Sequence, residues 1–572
     1  MVYDSYCTVY CCIYIFSLLN YRPSNGVAIY CAWNTDNGGP LDRASVEKVY
    51  DGLRTKYPDA NVHASTFDDF YDVASKNTQG LPIITKEIGD TWLYGVPSDP
   101  FKNVMFRELS RHRRDCIDTG ACDPNDLTMV RFSRLLTKVP EHTWGADTTW
   151  YLSSYLGDRS YPLGDYMNWT NAQFEIALNS PEYHMTIESW LDQRNYLNSA
   201  LDILEKDNTT STSPYVALAK KMRTAMTSIL PSIPNVVDYI QVQGTPLEQS
   251  AQVFSCDGHK YRINMDMSML LEATSLSSVE KESSAEHEHV LGLYTYQTID
   301  ASDFTKFDKD YGMSYCTPTT EDAGCHNFNK PNMTSANPIH SETNPTLSQI
   351  YIKKTTGNDD NDGNGDNDDN DDDNNNVCNF HVTGSLPVNI HEQYGAPSTI
   401  WTSVNFDRAN NVTPGTTTTS LTFNVQWFNK TRTRLAEAQW VTFNPEVTNP
   451  EDGWMMRGFR RTGLNNKAAN NGINPTKVVT HGAVHLHSLG PFSTVEYHQR
   501  QEDIVLTSLD VPIVSAGLLS PFPTPGNWTI DLSNGMHYNI QNNIWNVNFP
   551  QWYPFVEEDK NARFRFQVVI TI

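Results

Sequence analysis

GVAIYCAWNTDNGGPLDRASVEKVYDGL, running from Gly26 to Leu53, decides the first part of the fold. Its opening, Val27 to Trp33, is a short apolar run that reads as a buried strand, and Thr35 to Pro40 is turn vocabulary. Val46, Val49, Tyr50 and Leu53 then recur at helical spacing, which lines one side of a helix with apolar groups. The alternation continues, with Asn61 to Ser65 reading as a strand, Phe67 to Ala74 as a helix and Leu81 to Thr85 as another strand. Strand and helix in turn is the pattern of parallel α/β units, whose functional groups gather at the carboxyl ends of the strands. Those ends carry Asp36 and Asp90.

The pattern then changes twice. Phe106 to Arg114, Leu127 to Leu136, Ser189 to Leu204 and Tyr215 to Leu230 have helical periodicity. Farther on, Leu421, Phe423, Val425 and Trp427 alternate with polar residues, as do Phe564, Phe566, Val568 and Ile570, the mark of strands with one buried face. The expected fold is therefore multidomain, α/β then α then β. It comprises the rear part of a (β/α) barrel over residues 26–100, a helical domain over 101–232, and a large β-sandwich-rich region in two parts, 233–357 and 377–572. Between the two parts, 358–376 is almost pure Asp, Asn and Gly. It lacks the final Glu of an EF-hand loop and reads as a solvated, disordered loop.

At 572 residues the chain exceeds what one core supports, about 250–300 residues. A net charge of -25 argues against a nucleic-acid partner, because phosphate binding needs clustered Lys and Arg. Nine of the negative charges are Asp residues between Asp359 and Asp373, so the excess is largely local. The ten Cys residues have no zinc-ribbon or redox spacing, and the close pairs are Cys116 with Cys122 and Cys316 with Cys325, as disulfides or as reduced thiols. Sequons at Asn168, Asn208, Asn332, Asn411, Asn429 and Asn527 are no more than such an Asn-, Ser- and Thr-rich composition yields by chance. The apolar run Cys7 to Leu19 has the length of a signal peptide but lacks a basic flank and a small-residue cleavage site, and it is too short to span a bilayer. Residues 1–25 are therefore an atypical N-terminus, with Met1 a false start or, as the alternative, the run a real signal. Together these features favour the secretory pathway and leave the cytoplasm open; no transmembrane span is expected, and the oligomeric state is not encoded in any motif.

Three segments carry candidate chemistry. Trp33 to Pro40 places Asp36 at a strand end, where a general acid reaches a bound sugar, although Asp-Asn-Gly-Gly is also ordinary turn sequence. Glu87 to Pro100 clusters Asp90, Trp92 and Tyr94 after a strand. Carboxylates accept bonds from sugar hydroxyls while aromatic faces pack on their C–H surfaces, so these residues suit a sugar subsite; a packed loop is the alternative. Pro140 to Asp147 contains His142, Trp144 and Asp147, in which an imidazole beside carboxylates suits a metal, although zinc needs three protein ligands or more. His287 with His289, and His481, His485 and His487, lack a further ligand at a recognised spacing and read as structural. No Gly-rich phosphate loop or nucleophile elbow is present in the sequence.

The phrases DANVHASTFDDFYDVA, LPIITKEIGDTWLYGVPSDPFKNVMFRELSRHRR, KVPEHTWGADTTWYL, ESWLDQRNYLNSAL and NVNFPQWYPFVEEDKNARFRF resemble the domain family of unknown function numbered 5054. That family is in turn distantly similar to glycoside hydrolase family 38, the retaining α-mannosidases. The resemblance implies a metal-assisted retaining glycosidase acting on carbohydrate, with zinc as cofactor. It puts Asp36 at the general-acid position, Asp90, Trp92, Tyr94, Trp144 and Asp147 around the sugar, and His142 at a zinc position. Asn37 stands where the mannosidases carry a second Asp, and EHTWG replaces their His-His-Asp. The nucleophile and two metal ligands of that family lie on earlier barrel strands with no counterpart before Gly26, so this chain is expected to be a truncated, inactive form. The alternative is a non-catalytic carbohydrate-binding or surface protein.

Overall fold

A computed structural model of the chain describes residues 28–31, 39–76, 78, 83, 91–141, 144–146, 152, 169–207, 213–272, 288–310, 338–354, 376–407, 418–458, 476–482, 484–499, 502–524, 528–544 and 549–571. The chain divides into two compact units, residues 1–85 and 86–572.

The first unit contains helices α1 (Arg43–Lys56) and α2 (Phe67–Ala74). Each starts at a side chain that takes up a free helical N–H: Asp42 accepts from Ser45 N, and Thr66 and Asp69 form a reciprocal capping box. Both helices lie where the apolar spacing predicts them. Asn61 to Ser65, read as a strand, is instead coil. Val62 is its one large apolar side chain, and among the described residues the segment has no strand beside it to hydrogen-bond and hold it extended. Of the buried strand read at Val27 to Trp33, residues 28–31 are described and are coil, exposed or half-buried, and belong to no ladder among the described residues; of Leu81 to Thr85 only Ile83 is described.

The second unit begins with a 3-10 segment (Thr91–Ser98), followed by α3 (Pro100–Asp118), α4 (Leu127–Lys138), α5 (Asn171–Ala177), α6 (Pro181–Glu205) and α7 (Pro214–Ser228). Pro in the first turn of α3, α6 and α7 costs no hydrogen bond, because that N–H has no partner within the helix. Met129, Phe132 and Leu136 of α4 join Leu197, Leu201 and Leu204 of α6 and Leu218 and Met222 of α7 in one buried core. The Cys116–Cys122 disulfide closes the turn after α3. Cys316 and Cys325 lie outside the described residues.

Two antiparallel sheets follow. In order across the first are β1 (Ile240–Gln241), β7 (Thr346–Lys354), β8 (Val377–Ser385), β9 (Thr399–Asp407), β10 (Thr418–Phe428), β19 (Ala562–Thr571), β16 (Glu502–Ser508), β15 (Thr494–Gln499), β12 (Trp454–Arg457) and β13 (Thr476–Lys477). The second runs β14 (Leu486–Ser488), β17 (Ile513–Ala516), β18 (Met536–Asn542), β11 (Glu437–Asn444), β5 (Glu288–Thr298), β4 (Met269–Glu272), β3 (His259–Ile263) and β2 (Phe254–Cys256), with β6 (Ser341–Thr343) beside β5. The alternation read in the sequence becomes register: Phe423 lies opposite Phe566 and Val425 opposite Phe564, all buried. Those rings meet the second sheet, with Phe443 at 5.3 Å from Phe423 and 5.2 Å from Phe566 between ring centres. A second disulfide, Cys256–Cys378, ties β2 of one sheet to β8 of the other across 122 residues. Asp257 and Gly258, both at positive φ, make the tight β2–β3 hairpin that presents Cys256 to it. Of the acidic run 358–376, only Asn376 is among the described residues.

The helices dock on the sheets through buried charge. Arg107 of α3 donates to the carbonyls of Leu489, Ser508 and Leu509 at 2.6–2.9 Å. Glu108 accepts from Arg565 at 2.7 Å, and Arg565 forks onto Asp510. Burial raises the Glu108 carboxyl, but His112, Arg565 and Arg111 beside it together outweigh that and hold it well below its ordinary range. No helix among the described residues is long and apolar enough to cross a membrane.

Candidate functional site

Of the residues that the sequence assigns to a site, Asp36, Asp90, His142 and Asp147 lie outside the described residues, as does the side chain of Trp92. Tyr94 and Trp144 are described, and they come from the two segments that the sequence singles out after the barrel-like repeat. Fifty residues apart on the chain, they enter one aromatic cluster.

Thr91–Ser98 coils tightly enough that Gly95 backs onto Phe549, where an added Cβ would stand 2.3 Å from the ring. Phe549 in turn meets Trp144 edge-on, with ring centres 5.3 Å apart. Asn542, at the end of β18, donates to the Tyr94 carbonyl at 2.8 Å, which pins the same segment to the second sheet. In the same cluster lie Ala436, just before β11, and Ala438 and Trp440 of that strand. Gly145 follows Trp144 at φ +144, against Trp190 of α6, and Ala146 N donates to Ser189 Oγ at 2.9 Å. Tyr94 and Trp144 are only 2% and 1% exposed, so in this arrangement their rings hold the two loops together and do not present a free face. Gly95→Ala is expected to cost about 1–3 kcal/mol, since a methyl at that point must displace an aromatic ring. Chemical denaturation of the full chain measures it; an unchanged midpoint would mean the segment has room to shift.

Charge is concentrated beside this cluster. Asp99 caps α3, accepting from Lys102 N at 3.0 Å. Its two carboxylate oxygens also take Arg194 Nε and Nη2 at 2.8 and 2.7 Å, while the other side of the guanidinium forks onto Asp559 at 2.9 and 2.8 Å. Phe101 and Phe555 cover Arg194, with its charge centre 4.7 and 4.1 Å from their ring centres. The two carboxylates hold Arg194 protonated despite its burial. Burial lifts Asp559 to about 6 against the pull of Arg194, which leaves it ionised at neutral pH. Lys102 is different. Its Nζ sits 3.4 Å from the centre of the Trp144 ring with no hydrogen-bond acceptor, and burial pushes its amine far below the ordinary lysine range, while Asp99 and Glu141 pull back. Trp144 Nε1 and Ser98 Oγ are likewise buried without a hydrogen-bond partner. The two loops and the start of α3 thus hold three buried polar groups without a hydrogen-bond partner among the described residues, Lys102 resting on the Trp144 ring.

Lys102, Arg194, Asp559, Asn542 and Phe549 carry no signal in the sequence that marks them for this place; Asp99 does, as an acidic cap just before Pro100. Zinc finds no fitting donor set in what is described. The group of potential ligands among those residues is Cys256, Asp257 and Cys378, and its two sulfurs are bonded to each other. The histidines of the second sheet also have other partners: His485 contacts Thr524 Oγ1 and the Ser520 carbonyl, and His537 contacts Thr442. Burial holds His289, His487 and His537 at about 4 and His485 at about 3, so all four are neutral at physiological pH.

The family described as a domain of unknown function, DUF5054, matches residues 96–413. Among solved structures the chain is similar to an alpha-mannosidase from Enterococcus faecalis V583, at 9% identity and a TM-score of 0.34, covering 92% of this chain and 61% of that one. It is also similar to a protein in glycosyl hydrolase family 38 from Enterococcus faecalis, at 9% identity and a TM-score of 0.39, covering 98% and 65%. The chain therefore spans less than two thirds of the length of either structure. No curated protein matches it.

Proposed function

The chain belongs to the DUF5054 family, and from that premise we propose that it is a glycoside hydrolase family 38-like protein whose ligand is an α-linked glycan, mannosides first. The observation that carries this reading is the meeting of segments 91–98 and 144–146 in one cluster, with Lys102 Nζ, Trp144 Nε1 and Ser98 Oγ buried there without a hydrogen-bond partner among the described residues. Buried donors without acceptors are costly, at roughly 1–3 kcal/mol each, and a polyhydroxylated ligand would remove that cost only if the two loops part to admit it. In this reading Asp90, Trp92 and Asp147 contact the sugar, Tyr94 and Trp144 position those loops, Asp36 is the general acid of the parent enzyme and His142 belongs to its metal site.

Binding, and not hydrolysis, is what is proposed of this chain. A retaining glycosidase needs two carboxyl groups roughly 5–5.5 Å apart, one as acid and one as nucleophile. Asp99 and Asp559 are the carboxylates brought together beside the cluster, and both are taken up by Arg194. No catalytic step is routed through a metal. Rear barrel strands ahead of the helices, and a sandwich made by the two sheets, complete the architecture that goes with this reading.

Calorimetric titration of the full chain with methyl α-mannoside and an α-linked mannobiose, with and without added zinc, tests it. Binding that Trp92→Ala abolishes at unchanged melting temperature supports the assignment. Absence of binding to either sugar in both conditions sinks it, and release of mannose would return hydrolysis to this chain.

A further inference from the structure

We propose that Asn429 carries an N-linked glycan, added while the chain matures in the same oxidising compartment that preserves its disulfides. Of the six sequons, Asn429-Lys430-Thr431 lies among the described residues with its Asn, and the turn that ends β10 gives it a particular geometry. Asn429 stands at φ +60 and is exposed, its N–H donating to Asn561 Oδ1 at 3.1 Å. Lys430 turns the opposite way, fully buried, with Nζ 2.7 Å from Glu437. Thr431 turns out again and is exposed. The buried lysine therefore fixes both members of the sequon on the outer surface, the side of the folded chain that can carry a bulky glycan.

The disulfides supply the second, independent observation. Cys116–Cys122 and Cys256–Cys378 are both formed, and the latter crosses between the sheets, joining segments that meet only when the fold is complete. Such bonds persist in oxidising compartments and are rare in reducing ones. The chemistry at Asn429 balances without a redox step. Its Nδ2 attacks the anomeric carbon of a polyprenyl-pyrophosphate-linked oligosaccharide. The N–C bond forms, the bond from that carbon to the pyrophosphate oxygen breaks, polyprenyl pyrophosphate leaves, and the amide gives up one proton. Nδ2 now donates to Ser398 Oγ at 3.2 Å, and the hydrogen that remains after transfer still serves that bond.

The test uses the full chain recovered from its own cells, alkylated without reductant, digested, and treated with peptide N-glycosidase in heavy-oxygen water. The expected result is an Asn429 peptide converted to Asp bearing heavy oxygen in most molecules, with Cys256 and Cys378 protected from alkylation. Thr431→Ala should abolish the conversion and Thr431→Ser should keep it. Recovery of the Asn429 peptide unmodified from the unsubstituted protein overturns the proposal, whatever the variants do. Alkylation of Cys256 and Cys378 without reductant overturns its compartment.

Discussion

Arg194→Ala is expected to destabilise the fold by about 3–5 kcal/mol at pH 8, enough to unfold a marginal domain. The guanidinium is shared by Asp99 and Asp559, all three are buried, and its removal leaves two carboxylates facing each other with no cation. Asp99 also caps α3, and Asp559 precedes β19, so the loss reaches both the helices and the first sheet. The deficit has a pH signature. Orphaned carboxylates take up protons more readily than in the parent, so the gap between variant and parent should narrow from pH 8 to pH 5.5. Adding Asp99→Asn and Asp559→Asn to Arg194→Ala should recover part of the loss, because neutral amides take the place of two unpaired buried charges. Urea denaturation at the two pH values measures each point; an Arg194→Ala loss independent of pH would mean the deficit is one of packing and not of charge.

Acidification of the unsubstituted chain should destabilise it steeply between pH 6.5 and 4. The relevant groups are His289, His485, His487 and His537, whose folded values are about 4, 3, 4 and 4. Above pH 6.5 each is neutral folded or unfolded and contributes nothing. Below it the unfolded chain binds protons that the fold refuses, so stability falls with pH until the folded values are reached. Each pKa unit is worth about 1.4 kcal/mol, and the four together amount to a loss on the order of 10 kcal/mol at pH 4. Glu496, held at about 2 against the effect of burial by hydrogen bonds from Arg457, Thr494 and His498, adds to the loss below pH 4.5. Asp559 works the other way, since protonation below about 6 favours the fold. A melting temperature level from pH 7 to 4.5 would contradict the account. His485→Gln, which removes a titrating ring but keeps hydrogen-bonding capacity, should flatten the profile.

Periodicity was informative where one face of an element is buried and the other is not. Leu127 to Leu136 became α4, and the alternation at Leu421 to Trp427 and Phe564 to Ile570 became two paired strands with inward aromatic rings. It failed at Asn61 to Ser65, where extension depends on a neighbour and not on local pattern. Long-range chemistry left no trace along the chain: Arg194 finds its partners 95 and 365 residues away, and Cys256 finds Cys378 across 122. At the candidate site the two segments were legible as special and do converge. The burial of Tyr94 and Trp144 was not, because an aromatic residue beside a glycine reads the same whether it faces a ligand or, as at Gly95, makes room for Phe549.

The Cys256–Cys378 bond has a topological result. Everything between those residues, from β3 through β7 and on through the Asp- and Asn-rich run 358–376, forms a closed covalent ring with both ends anchored in different sheets. A peptide bond cut anywhere on that ring linearises it without releasing a fragment. The nicked protein should keep its full mass in a non-reducing gel, fall into two pieces when thiol is added, and tolerate new sequence inserted at the acidic run with little entropic penalty, since loop closure depends only on the logarithm of ring size.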